Sequence, residues 1–159
     1  SYTFKDYIYV SRWTFHKGNN KIWITAVWIE LDGVVPETLY GPTRYLDPIS
    51  HASAQADILK HDEKCDLVIC LSHLGYKYDH AKVSDIQLAQ NSKSIDIIIG
   101  GHTHTFMDKP DIYRNKEGEN VIIHQVGWAG IRLGKIDVTF EKNKRNKCVT
   151  CEGIWVKES

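Results

Sequence analysis

The chain has 159 residues, enough for one domain with a buried core. Lys and Arg together number 20, as do Asp and Glu, so no basic field marks a binder of duplex nucleic acid. No apolar run reaches the length of a membrane-spanning helix, and no N-terminal stretch has the form of a signal peptide.

Tyr7 to Val10 and Ile22 to Ile29 are rich in β-formers and flank the turn-forming Lys17-Gly18-Asn19-Asn20, which predicts an early hairpin. The second run is too apolar for a one-sided strand and is expected to be largely buried. Leu31 to Arg44, with Asp32-Gly33, Pro36, Gly41 and Pro42, reads as a loop. Asp47-Pro48 then offers an acidic N-cap followed by proline at the first helical position. Ile49, Ala52, Ala56 and Leu59 keep a helical period to about Lys60.

A strand over Cys65 to Leu71, a helix over Val83 to Gln90 and a strand over Ile95 to Ile99 follow. This alternation predicts an α/β fold, a βαβαβ unit with a parallel sheet. The tail changes character: Val121 to Val126, Leu133 to Phe140 and Val149 to Val156 read as strands joined by short loops, hence antiparallel. Glu141 to Lys147 is a charged hairpin end. Cys70 reads as a small core residue. Cys148 and Cys151 form a C-x-x-C, but in a β-like tail rather than at a helix start, so they read as structural or incidental thiols rather than a redox pair or half a zinc site.

Two segments carry the chemistry. Leu71-Ser72-His73-Leu74-Gly75 and Gly100-Gly101-His102-Thr103-His104-Thr105 each follow a buried-type strand, at the end where open α/β sheets place ligands. Side chains at i and i+2 of extended backbone point the same way, which would align His102 with His104. Three imidazoles beside close-approach glycines suit a transition metal, and imidazole does not choose among zinc, manganese, iron and nickel. His124 alternates within a strand and reads as a packing residue. Trp128, Tyr76, Tyr78 and Phe106 lie near the motif loops, where they could stack on a base or pack the sheet edge.

These segments, with Gln125-Val126-Gly127 and Leu133-Gly134-Lys135-Ile136, resemble the calcineurin-like metallophosphoesterases. The similar branch holds the bacterial 5'-nucleotidases and 2',3'-cyclic phosphodiesterases, and within it small Bacteroides-type metallophosphatases. The resemblance runs from about Ile22 to Phe140. It implies half of an αββα metallophosphoesterase sandwich, hydrolysing phosphate esters, nucleotides first among them, with a hydroxide held between two divalent transition metal ions. By motif, His73 and His102 would ligate one ion and His104 the other. An exported or periplasmic parent is also implied.

The family's earlier motifs do not occur: no Gly precedes Asp, no Asn precedes His, and there is no Asp-x-His. Ser1-Tyr2-Thr3-Phe4, without an initiator Met, reads as a cut end. Residues 1–159 are therefore expected to be the C-terminal part of a catalytic domain whose motif-bearing N-terminal part is absent. Such a chain would bind metal at most weakly and be inactive alone. The other reading is a non-catalytic metal-binding or interaction module. Helices can cover one face of the apolar sheet, so the other is expected to be hidden by the tail strands or by a symmetric homodimer, the dimer being favoured.

Overall fold

The computed structural model of the chain describes residues 13–141 and 147–156, with the backbone only for residues 147 and 148. The strand expected at Tyr7 to Val10 lies outside the described residues. Its place in the first hairpin is held by β1 (Trp13–Lys17), antiparallel to β2 (Asn20–Val27). The connection to the first long helix includes one short helical turn, α1 (Glu37–Tyr40).

Helix α2 (Pro48–Asp57) starts where the sequence places it. The Asp47 carboxylate accepts from the Ser50 amide at 2.9 Å, and Pro48 occupies the first turn, where a missing N–H costs nothing. A π-helical turn (Ile58–Asp62) closes it. Then come β3 (Leu67–Ser72), α3 (Asp85–Asn91), β4 (Ile97–Ile99), β5 (Asp111–Arg114) and β6 (Asn120–His124). The tail is the hairpin β7 (Arg132–Phe140) and β8 (Lys147–Trp155).

The main sheet has the order β1-β2-β3-β4-β6-β5, with β2, β3, β4 and β6 mutually parallel and an antiparallel strand at each edge. The sequence reading misses β5, which has only four residues and alternates in burial as an edge strand does.

Each face of the sheet has its own cover, because side chains alternate along a strand. One face packs Trp23, Val68, Cys70, Ile98, Val121 and Ile123 against Ala52, Ala56 and Leu59 of the first helix and Leu88 and Ala89 of α3. The other face packs Ile22, Leu67, Ile97 and Ile122 against Ile136, Val138, Phe140, Val149 and Cys151 of the tail hairpin. The second layer is thus supplied by the chain itself, and the favoured dimer is not needed to bury this face. The hairpin is clamped by Arg132, which donates to the Asp108 carboxylate at 2.9 Å and lies over the Trp155 ring at 4.9 Å.

Candidate metal and phosphoester site

Parallel pairing of β3 with β4 brings the two histidine loops to one edge of the sheet. Val27 opposes Ser72, and Leu71 opposes Ile99, so the residues after these strands emerge side by side. The His73 and His102 rings meet edge to face with centroids 5.2 Å apart. His73 is also stacked on Trp28, at 4.4 Å and 14° between planes. Trp28, the residue after β2, is 60% exposed, against the expectation of a buried run to Ile29.

His104 lies further out. It is exposed and stacks on Trp128 at 6.0 Å. Among the described residues no three His, Cys, Asp or Glu side chains gather closely enough to surround one ion. The backbone reason corrects the extended reading of His-x-His. His102 has φ +73° and His104 φ +53°, both left-handed, so their side chains do not follow the alternation of a strand.

Electrostatics suits a neutral donor at His102. Burial lowers its pKa, and the neighbouring His73, Lys82 and His104 lower it further, which favours the neutral form. Two adjacent imidazoles fit part of a divalent ion's ligand set, and His104 belongs to a separate position, so the donors fit ions shared with further ligands.

Gln125 and Asp85 build the site's floor, and the sequence reading assigned neither a role. Gln125, 2% exposed, donates through Nε2 to the Gly101 carbonyl at 2.8 Å. Its Oε1 accepts from the Thr105 amide and from the Thr103 hydroxyl, the latter at 3.2 Å. Asp85 is fully buried and accepts from the Ser72 hydroxyl at 2.5 Å. The signal available in sequence was thin: a Gln after a β-run, and an Asp next to a Ser N-cap that looks like an ordinary first-turn acid.

Of the aromatic candidates, Tyr76 donates to the Asp111 carboxylate and Tyr78 to the Leu74 carbonyl at 2.6 Å, so both are engaged in the loops. Trp128 and Phe106 remain exposed. His124 is 2% exposed, neither ring nitrogen has a partner among the described residues, and its burial and the nearby Arg132 lower its pKa. A cavity of about 400 Å³ opens beside Trp28, lined also by Tyr40, Arg44, Tyr45, Leu46 and Pro48.

No family model matches the chain. It is 35% identical over 96 residues to the trifunctional nucleotide phosphoesterase protein YfkN of Bacillus subtilis, covering 60% of this chain and 6% of that protein. Against an apyrase of Tabanus yao it is 30% identical over 150 residues, covering 85% of this chain and 26% of the apyrase. The chain is a homologue of the calcineurin-like phosphoesterases of the 5'-nucleotidase group.

The fold agrees. The 5'-nucleotidase precursor from Thermus thermophilus superposes with TM-score 0.72 at 24% identity, over 91% of this chain and 29% of that one. The calcineurin-like phosphoesterase YfkN structure from B. subtilis gives 0.59 at 23% identity, over 84% and 44%. The α/β architecture is therefore that of part of a 5'-nucleotidase metallophosphoesterase domain. The chain spans at most about a quarter of the two curated relatives just named. No helix of the described residues is long and apolar enough to cross a membrane.

Proposed function

We propose that this chain forms the C-terminal half of a metal-dependent phosphoesterase catalytic domain whose parent hydrolyses nucleotide-type phosphate esters. The observation that carries the reading is the pairing of His73 and His102, 5.2 Å apart at the ends of neighbouring parallel strands. His73 and His102 would hold one divalent transition metal ion (zinc, manganese, iron or similar) and His104 a second. When bound, such ions supply Lewis-acid activation of water and stabilise the oxygens of an in-line displacement at phosphorus.

The residues of this chain do the rest of what this half contributes. Burial first, then the neighbouring His73, Lys82 and His104, lower the His102 pKa, which favours the neutral imidazole that a metal would need. Trp28 and Trp128 stack on His73 and His104 and limit the ring rotations each could make. Lys82, close enough to depress the His102 pKa, adds positive potential for an anionic ester. The cavity beside Trp28 has room for the organic group of such an ester. The precursor form of the Thermus relative supports an exported parent.

The motifs missing from this sequence would bring a bridging carboxylate and the remaining ligands. Without them, two neighbouring cations would repel each other with little to offset it. The chain alone should therefore release little phosphate from AMP or from p-nitrophenyl phosphate with zinc or manganese present. Turnover comparable with an intact phosphoesterase would refute the half-site reading. The competing reading, a non-catalytic metal-binding module, predicts instead that no Asp-x-His is encoded upstream of Ser1, and reading the parent gene separates the two.

A further inference from the structure

We propose that Asp85 is the positioning residue of this site, its buried carboxyl group setting the separation of the two histidine loops from beneath. The proposal rests on the reading of His73 and His102 as a pair that acts together, but it can be tested without any metal.

Asp85 opens α3 and has no exposed surface. Its amide donates to the Gly75 carbonyl at 2.8 Å, so the backbone at the start of the helix is fastened to the loop that carries His73. One carboxyl oxygen, Oδ1, accepts from Ser72 Oγ at 2.5 Å, and the same hydroxyl accepts from the Leu74 amide at 3.2 Å. Ser72 and Leu74 are the residues on either side of His73. The His73 amide itself donates to the Val27 carbonyl at 3.0 Å. The His73 amide is thus fixed to Val27 and the Leu74 amide to Ser72 Oγ, which Asp85 holds in turn.

The second carboxyl oxygen, Oδ2, is buried with no hydrogen-bond partner among the described residues. It is seated on Gly100. A methyl group added there would collide with Oδ2 and stand 3.1 Å from Gln125 Nε2, so only glycine leaves room for this approach. Gly100 begins the loop of His102, and Gln125 holds Gly101, Thr103 and Thr105 of the same loop. The carboxyl group is therefore wedged between the two loops, bonded to one and in contact with the other. On the rim, the Tyr76 amide donates to Thr103 Oγ1 at 2.9 Å and joins the loops a second time.

A buried carboxyl oxygen without a partner is costly, and an apolar side chain would fill the volume more cheaply. A group that only filled space would not also bond Ser72. The combination of a tether on one side and a seat on the other fits a part whose task is to fix a distance. The raised pKa of Asp85, pushed up to about 7 by burial, agrees with a carboxyl held for its shape rather than its charge.

The test is the cross-peak pattern between His73 and His102 ring protons in nuclear Overhauser spectra of the metal-free chain, with Co²⁺ titration as a second readout. Asp85→Asn keeps the shape and the Ser72 acceptor and should keep the cross-peaks. Asp85→Ala should lose them while the amide spectrum of β6 stays unchanged, and Co²⁺ should bind roughly tenfold more weakly or worse. Ser72→Ala removes only the tether and should act in the same direction, which decides the matter if Asp85→Ala does not fold. The double variant Asp85→Ala with Gly100→Ala refills the space with a methyl group. If packing were the whole role it would restore both stability and cross-peaks, and the proposal would be overturned. Cross-peaks surviving in both Asp85→Ala and Ser72→Ala would overturn it as well. A chain that binds no Co²⁺ but loses its cross-peaks in these variants would sink the metal reading and leave the positioning role standing.

Discussion

Gln125 makes hydrogen bonds with both ends of its amide, and every one of them goes to the histidine loop. Cutting it to alanine leaves the Gly101 carbonyl and the Thr105 amide without that partner. Gln125→Ala should lower stability by roughly 2 kcal/mol. Amide exchange at Thr105 should quicken more than exchange in the β6 core. Asp85 makes a second prediction at this scale. Its folded pKa, about 7, lies above the ordinary carboxylate value, so between about pH 4 and 7 the folded chain keeps a proton that the unfolded chain has released. Stability from this group therefore falls as pH rises through that window. His102 and His124, whose pKa values are lowered, tilt the curve the other way below their ordinary value. The difference between wild type and Asp85→Asn isolates the carboxyl: denaturation at pH 4.5 and 7 should show the wild type losing more stability than the variant over that step. Equal losses would contradict the burial argument.

Strand ends, more than strands, decide what this chain can do, and they are the part hardest to read from residues. Apolar runs such as Asp66 to Cys70 and Ile95 to Ile99 locate β3 and β4 because buried parallel strands need such runs. Asp47-Pro48 locates the start of α2 for an equally local reason. The left-handed φ of His102 and His104 has no local cause in the sequence, since neither is glycine. At His102 it accompanies a tight turn closed by the Thr103 amide on the Gly101 carbonyl at 3.0 Å, in a loop that Gln125 also holds, and so the expected alignment of the two histidines fails. Trp28 misleads similarly: its apolar neighbours suggest burial, whereas the strand ends at Val27 and the indole lies over His73. The tail hairpin carries the prediction at this scale. Ile136 and Val138 seal the face of Ile22, Leu67, Ile97 and Ile122. Replacing both with Asp should expose that face and produce concentration-dependent association by light scattering, where wild type stays monomeric. A wild type that dimerises through this face would show that the hairpin does not cover it.

At the scale of the whole molecule, the main sheet lies between the helices on one face and the tail hairpin on the other. The histidine loops lie at the strand ends between them. Its homologues are hydrolases of the 5'-nucleotidase group, far longer than this chain. The loops for His73 and His102 are held in place by bonds within the chain. On the proposed reading, these loops should therefore respond to metal without any further segment. The most direct measurement is histidine side-chain nitrogen NMR during titration with Zn²⁺. The ring nitrogens of His73 and His102 should shift together at the lowest zinc concentrations, at weak affinity, with His104 following separately. Zinc that moves only the exposed His51, His61 and His80, leaving His73 and His102 unmoved, would contradict it.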